Sequence, residues 1–304
     1  MNLRGVFPAI TTPFSDDTRR VDVEALTRNA DRWMTTGLRG LVVLGSNGEA
    51  PLVDEVESDT VIETVRSSVP TDRILIAGTG RESTQAAIAA AQRAAALGAD
   101  AVLVRTPSYF KPQLTPSAFV DHYTAVADAS PAPVLLYNFS ALTGVTLVTD
   151  VVASLAEHPN IVGMKESGSD IGYVSSLVDA TPDDFILLVG SAPTFYASLL
   201  SGAAGGIMAL ACVVPDHCVE LFELVRSNRL VEARELQGRL TPLARLVTRA
   251  HGVPGLKAAL DLLGFQGGRA RPPFQPLEAA AVSDLRRELD ALEVSITSQI
   301  GARF

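Results

Sequence analysis

The chain has 304 residues, of which 47 % are hydrophobic and 19 % charged, and its net charge is −9. This length fits one large α/β barrel or two medium domains, and the composition allows a large buried core. The acidic balance argues against nucleic-acid and anionic-membrane partners, because their binding surfaces need basic patches. Two cysteines, Cys212 and Cys218, are too few for a disulfide framework and fit a reducing compartment. No signal peptide or membrane helix is evident, so we expect a soluble cytoplasmic protein.

Short apolar runs typical of strands alternate with longer helical segments. The predicted strands are Val6–Thr11, Leu41–Leu44, Ile74–Ala77, Ala101–Val104, Val134–Tyr137, Ile161–Lys165, Ile186–Val189 and Gly205–Met208. The helices predicted between and after them are Asp22–Thr36, Asp54–Ser68, Thr84–Leu97, Pro116–Ala129, Thr149–Ala156, Ile171–Val178 and Thr194–Leu200. Eight continuously apolar strands that alternate with helices predict a (β/α)8 TIM barrel, whose sheet is buried on both faces. An open doubly wound sheet is the alternative, which strand count and length disfavour.

Beyond about residue 214 the pattern is helical only. We therefore expect residues 1–213 to form the barrel and residues 214–304 to form a C-terminal helical extension packed on it, as one structural unit. A loop rich in glycine and proline, Gly267–Pro273, interrupts the extension.

Functional groups of such a barrel lie at the C-terminal ends of its strands. Lys165 ends the sixth strand and Tyr137 the fifth, while Ser46 and Asn47 follow the second in a glycine-flanked turn. Burial disfavours the ammonium form of a lysine, and a tyrosine can transfer protons, so the set suits Schiff-base chemistry on a carbonyl compound. The turn can offer hydroxyl, amide and backbone N–H donors to a carboxylate. Taken singly, each residue also fits a structural role: a surface lysine, a packed aromatic, an ordinary turn.

Other catalytic motifs are incomplete. Gly78-Thr79-Gly80 lacks the third glycine of a dinucleotide fingerprint, and no Walker-type phosphate loop is present. The turn Gly45–Gly48 is one residue short of a hydrolase nucleophile elbow. The histidines are scattered and none ends a predicted strand, so they do not form a metal site. We expect neither a metal nor a cofactor.

Five stretches stand in one order along the chain: Phe7–Phe14, Gly45–Glu49, Thr106–Phe110, Tyr137–Asn138 and Gly163–Ser167. Together they resemble the dihydrodipicolinate synthase / N-acetylneuraminate lyase superfamily, which comprises class I, pyruvate-handling lyases and aldolases. The resemblance extends from about residue 5 to about residue 276. It implies a TIM barrel that acts on a small 2-oxo acid.

Within the superfamily the chain is most similar to 4-hydroxy-2-oxoglutarate aldolases. The further stretches that support this are Glu82–Ala86, His158–Lys165, Val189–Ala192 and Val253–Lys257. Dihydrodipicolinate synthases carry an arginine five residues after the strand-five tyrosine, where it binds the carboxylate of the second substrate. This chain has Leu142 at that position, and a leucine cannot make a bidentate bond to a carboxylate. The difference argues against condensation with aspartate semialdehyde.

The resemblance implies a role for each predicted site residue. Lys165 forms the imine, and Tyr137 moves protons during imine formation and C–C cleavage. Ser46 links Tyr137 in a relay to Tyr109, which reaches in from a neighbouring subunit, and Ser46 and Asn47 bind the substrate carboxylate. The other predicted substrate-binding residues are Ser167, Gly190 and Ile207. The resemblance also implies a homotetramer built from tight dimers.

The predicted function is that of a class I aldolase. It cleaves 4-hydroxy-2-oxoglutarate, or a related 2-oxo-3-deoxy acid, into pyruvate and an aldehyde such as glyoxylate. One alternative is the condensation of pyruvate with aspartate semialdehyde, as in dihydrodipicolinate synthase. A second is a 2-keto-3-deoxy sugar acid aldolase or dehydratase. A sensor without catalytic activity on the same scaffold is the third alternative.

Overall fold

The computed structural model describes residues 1–294. Its strands are β1 (Gly5–Pro8), β2 (Gly40–Val43), β3 (Ile74–Gly78), β4 (Ala101–Arg105), β5 (Val134–Asn138), β6 (Ile161–Glu166), β7 (Ile186–Val189) and β8 (Gly205–Met208). They form one parallel sheet in the order β1-β8-β7-β6-β5-β4-β3-β2. Ala9, which directly follows β1, forms a single bridge with Val42 of β2, so the barrel is nearly closed. The (β/α)8 TIM barrel predicted from the sequence is confirmed.

Helices alternate with the strands and continue beyond them. They are α1 (Val23–Met34), α2 (Glu55–Ser68), α3 (Thr84–Ala96), α4 (Pro116–Ala129), α5 (Ser140–Thr143), α6 (Thr149–Ala156), α7 (Ile171–Ala180), α8 (Phe195–Leu200), α9 (Leu210–Val213), α10 (Pro215–Arg226), α11 (Leu230–Arg245), α12 (Gly252–Leu262) and α13 (Ala279–Ala291). Helices α10 to α13 make up the predicted C-terminal extension, and the end of that extension, residues 295–304, lies outside the described residues.

Short polar side chains set the start of several barrel helices. Asp22 caps α1, Ser83 caps α3 and Thr115 caps α4, each by accepting a hydrogen bond from a backbone N–H of the first turn. Asp54 and Glu57 form a capping box at the start of α2. Such caps satisfy N–H groups that have no partner inside the helix. Each cap therefore fixes where a loop at the C-terminal face of the barrel ends.

The first strand is shorter than predicted. The sequence suggests Val6–Thr11, whereas the ladder of β1 ends at Pro8. Beyond it the chain leaves β8 and turns towards β2, where the Ile10 N–H donates to the Val42 carbonyl at 3.0 Å. Residues 9–11 are buried like β1 itself, so the apolar run in the sequence extends beyond the regular strand.

The C-terminal helices pack against the outside of the barrel. The indole N–H of the buried Trp33 in α1 donates to the Cys212 carbonyl at 2.9 Å. The side chain of Asn29, also in α1, bonds both the N–H and the carbonyl of Gln266, each at 2.9 Å. The two Asn29 bonds hold the loop after α12 against α1. The division of the chain after residue 213 remains a prediction.

Candidate active site

Strand register brings the predicted lysine and tyrosine side by side. Tyr137 in β5 pairs with Lys165 in β6, and Lys165 pairs with Leu188 in β7. Tyr137 and Leu188 belong to the apolar cluster that fills the barrel interior. Side chains alternate between the two faces of a strand, and paired residues share a face. Lys165 therefore points into the barrel at the C-terminal end of its strand.

The side chain of Lys165 is buried, and its amine has no polar partner in the described chain. The residue is 4 % exposed, and its Nζ lies 4.3 Å from the centre of the Tyr137 ring. Within residues 1–294 it makes no hydrogen bond or ion pair. The chain has two other lysines, of which Lys111 is exposed and Lys257 is paired with Glu49. Lys165 is thus the one lysine whose amine is free to meet a carbonyl inside the barrel.

A serine hydroxyl contacts the tyrosine beside this lysine. Ser46 Oγ lies 3.1 Å from the Tyr137 hydroxyl, a hydrogen bond in which either group can donate. Tyr137 is 4 % exposed, whereas Ser46 is half-buried. The pair can pass a proton between the barrel interior and its mouth. Lys165, Tyr137 and Ser46 therefore meet at one end of the barrel.

The turn that carries Ser46 is held by its own bonds and by β1. The Asn47 side chain donates to the Ala9 carbonyl at 3.1 Å, so this amide anchors the turn. In the described part of the chain the backbone N–H groups of Ser46 and Asn47 have no acceptor. Two free N–H groups beside a hydroxyl are suited to bind a carboxylate. The backbone of Asn47, rather than its side chain, is the donor available to a ligand.

A carboxylate that the sequence analysis did not select lies directly behind the lysine. Glu166 is buried and accepts hydrogen bonds from the Asn138 side chain at 2.6 Å and from the Gly168 N–H. Asn138 also accepts from the Leu147 N–H at 3.1 Å. Burial raises the pKa of Glu166 despite these bonds. The Glu166–Asn138 pair ties the ends of β5 and β6 together, and with them the positions of Lys165 and Tyr137.

The three remaining predicted substrate-binding residues occupy the ends of β6, β7 and β8. Ser167 and Gly190 are half-buried and adjacent, because a Cβ placed on Gly190 would lie 2.2 Å from Ser167 Oγ. Ile207 is 1 % exposed and belongs to the interior apolar cluster. These residues border the same end of the barrel as Lys165. Their roles towards a substrate remain predictions.

Tyr109 lies apart from the other predicted catalytic residues. It is 79 % exposed, contacts Phe110 edge to face, and makes no hydrogen bond to Ser46 or Tyr137 within the described chain. Its backbone N–H and that of Ser108 donate to one oxygen of Glu82, each at 2.9 Å. Desolvation acts to raise the pKa of Glu82, but these hydrogen bonds, together with the hydrogen bond and charge of Arg105, lower it. Glu82 therefore fixes the loop that presents Tyr109 to solvent.

The two cysteines belong to the packed interior of the described chain. Both cysteines are buried, and burial raises the pKa of each thiol. Cys212 donates to the Ala9 carbonyl at 3.2 Å. Between residues 1 and 294, no group of three or more histidine, cysteine or acidic side chains could hold a metal ion. In the same range no helix is long and apolar enough to cross a membrane.

Comparison with known proteins identifies the family. The chain matches the dihydrodipicolinate synthetase family over residues 2–292. The 4-hydroxy-tetrahydrodipicolinate synthase of Methanopyrus kandleri is 37 % identical over 292 residues, which cover 95 % of this chain and 96 % of the relative. A probable mitochondrial 4-hydroxy-2-oxoglutarate aldolase of Emericella nidulans is 34 % identical over 307 residues, with coverage of 97 % and 99 %. The chain therefore belongs to the dihydrodipicolinate synthetase family.

A solved structure supports the same assignment. The dihydrodipicolinate synthase of Acinetobacter baumannii, crystallised with pyruvate, has a TM-score of 0.91 and 30 % identity, and the match covers 96 % of this chain and 100 % of that one. The chain is thus an enzyme of the class I, pyruvate-dependent lyase type, as the sequence predicts. Several further relatives also bear the synthase name. The names of the relatives agree better with the condensation, the alternative in the sequence analysis, than with aldol cleavage.

Proposed function

We propose that the enzyme forms an imine between Lys165 and the keto group of a 2-oxo acid, with pyruvate as its substrate or product. The observation that carries this proposal is a lysine amine without a polar partner, on a buried side chain beside the Tyr137–Ser46 pair. Attack of the neutral amine on the carbonyl gives a carbinolamine, which loses water to form the protonated imine. Tyr137 supplies and removes the protons, and the N–H groups of Ser46 and Asn47 bind the carboxylate.

In the cleavage direction, the imine acts as an electron sink. Tyr137 takes the proton of the C4 hydroxyl, the C3–C4 bond breaks, and its electron pair moves to the iminium nitrogen to give an enamine and an aldehyde. Protonation of the enamine at C3 and hydrolysis of the imine release pyruvate and free Lys165. In the condensation direction, the same enamine attacks an aldehyde. One site therefore supports both reactions, and the second reactant decides between them.

Two second reactants are candidates. The names of the relatives favour condensation of pyruvate with aspartate semialdehyde, the synthase reaction. One residue of the chain argues against this condensation: Leu142, which is 65 % exposed in α5 after β5, stands where the synthases carry their carboxylate-binding arginine. The Emericella relative with an aldolase name supports the second candidate, cleavage of 4-hydroxy-2-oxoglutarate. A 2-keto-3-deoxy sugar acid is the third substrate to test.

A side-by-side assay separates these candidates. The enzyme is incubated with 4-hydroxy-2-oxoglutarate, with a 2-keto-3-deoxygluconate-type acid, and with pyruvate plus aspartate semialdehyde. Release of glyoxylate identifies the aldolase, and consumption of both partners identifies the synthase. Lys165→Met should abolish every activity, whereas Lys111→Met, which changes an exposed lysine, should leave the active reaction unchanged. Turnover that survives Lys165→Met would contradict the proposal.

We further propose a cytoplasmic homotetramer built from dimers. The support within the chain is the exposure of Tyr109 on a loop that Glu82 fixes, because an aromatic so presented can enter a neighbouring subunit. Its hydroxyl would then extend the Tyr137–Ser46 relay. Sedimentation of an active preparation tests this proposal, and an active monomer would remove Tyr109 from the relay.

A further inference from the structure

A buried ion pair joins the carboxylate-binding turn to the C-terminal helices. Glu49 is the last residue of the turn after β2, and Lys257 lies in α12. Lys257 Nζ is 2.6 Å from Glu49 Oε1, and the side chains are 1 % and 0 % exposed, respectively. Two charges removed from water need close pairing to offset their lost hydration. Glu49 Oε1 accepts no hydrogen bond within the described chain, so it depends on the nearby Lys257 charge.

Both charged groups have further partners that fix them in place. The backbone N–H of Arg271 donates to Glu49 Oε2 at 2.7 Å. Glu49 Oε1 therefore faces the Lys257 ammonium, and Oε2 accepts from a backbone N–H. Lys257 Nζ also donates to the Arg269 carbonyl at 3.0 Å and lies 4.5 Å from the centre of the Phe14 ring. Helix α12 and the loop that follows it thus hold the carboxylate of Glu49 from outside the turn.

The backbone of the turn depends on this support. Glu49 has a φ of 57°, in the left-handed region that residues other than glycine rarely adopt. Such a conformation persists when the surrounding structure determines it. Within the turn, the Gly48 N–H donates to Gly45 and the Glu49 N–H donates to Ser46, each at 3.1 Å. The side chain of Glu49 is therefore the link through which α12 fixes the turn.

We propose that the Glu49–Lys257 pair positions the backbone N–H groups and the hydroxyl that bind the 2-oxo acid carboxylate. The inference rests on the proposed function, since that function assigns the carboxylate to Ser46 and Asn47. Loss of the cation would leave the Glu49 carboxylate buried without its charged partner, so the turn would move to hydrate it. Such a movement misplaces Ser46 and Asn47 and weakens binding of the carboxylate. Glu49 and Lys257 are positioning residues that do not touch the substrate.

The test reduces the enzyme with borohydride at a series of pyruvate concentrations and measures the adduct on Lys165. Its readout is the half-saturating pyruvate concentration, at which half of the maximal adduct forms. The variants are Lys257→Met and the double variant Glu49→Gln/Lys257→Met. Asn160→Ala is the control, because the half-buried Asn160 bonds the Ala127 and Ser130 carbonyls at the N-terminal end of β6, away from the turn and from the loop after α12. All measurements are made well below the melting temperature of each variant. A purely structural pair would lower the melting temperature and leave half-saturation unchanged.

We expect Lys257→Met to raise the half-saturating pyruvate concentration by about tenfold or more, because small displacements of binding groups have large effects. The double variant, which buries no unpaired charge, should raise it by about threefold or more, and it tests the inference even if Lys257→Met does not fold. Asn160→Ala should change it by less than about twofold. A half-saturating pyruvate concentration of the double variant within about twofold of wild type would overturn the inference. So would an equal rise in Asn160→Ala.

The wild-type enzyme separates failure of this inference from failure of the proposed function. If the wild-type enzyme gives the Lys165 adduct and the variants need the same pyruvate concentration for half-maximal adduct, only the positioning role is refuted. No adduct on Lys165 in the wild type refutes imine formation, and with it the carboxylate site on which the inference rests.

Discussion

Replacing Tyr137 by phenylalanine tests the proton-transfer step of the proposed mechanism. The change removes one hydroxyl, whose partner in the structure is Ser46 Oγ at 3.1 Å, and it keeps the ring that packs in the barrel interior. General acid–base catalysis contributes about 10²–10⁴-fold to a rate, or about 2.7–5.4 kcal/mol at 1.36 kcal/mol per factor of ten. Loss of the hydrogen bond should lower the free energy of unfolding by only about 1 kcal/mol, since Ser46 is half-buried and water can replace the partner.

The assay compares kcat for pyruvate formation or consumption with thermal unfolding of the same preparation. We expect kcat to fall at least about 100-fold while the protein remains folded at the assay temperature. Ser46→Ala should also lower kcat, and the double variant should be little worse than Tyr137→Phe, because both residues act through one hydrogen bond. A Tyr137→Phe enzyme with kcat within threefold of wild type would refute the assignment of Tyr137 as the proton carrier.

Three further predictions follow from single contacts. Gly190→Ala should displace the Ser167 hydroxyl and raise KM by about tenfold. An unchanged KM in this variant would show that Ser167 does not contact the substrate. The Arg271 hydrogen bonds hold the pKa of Glu57 below its ordinary 4.5, so their stabilisation is present above pH 4.5 and is lost as pH falls through the lower folded-state pKa. In urea unfolding at pH 7, Arg271→Met should lower the free energy of unfolding by about 2 kcal/mol relative to wild type. This difference between wild type and variant should shrink below pH 4.5, and a difference that stays constant with pH would contradict the prediction. Leu142→Arg should raise kcat/KM for aspartate semialdehyde by about tenfold, and no change would refute the carboxylate-binding explanation.

The barrel and the location of its functional end could be predicted because both depend on local patterns. Apolar runs define the strands, and the residue after each run lies at the C-terminal end of the barrel whatever the tertiary detail. These positions include Lys165, Tyr137 and Ser46, which the structure brings together. The short helix α5 cannot be predicted in this way, since four residues are too few to show helical periodicity.

The support around the site could not be predicted, because it depends on contacts between distant segments. Glu166 meets Asn138 only through the register of two strands, and Glu49 meets Lys257 only after the C-terminal helices pack on the barrel. In the linear sequence each of these residues is one polar residue among many. The role proposed for Tyr109 needs a contact with a second copy of the chain, and such a contact leaves no local pattern in the sequence.

The central claim is that Lys165 forms an imine with a 2-oxo acid, and one mass-spectrometric measurement tests it. The enzyme is incubated with pyruvate, reduced with borohydride and digested, and the modified peptide is located. The chain offers only Lys111, Lys165 and Lys257 as side-chain amines, and they lie in well-separated segments, so the adduct can be assigned without ambiguity. We predict one adduct, on Lys165. An unmodified Lys165, or an adduct on Lys111 or Lys257 instead, would contradict it.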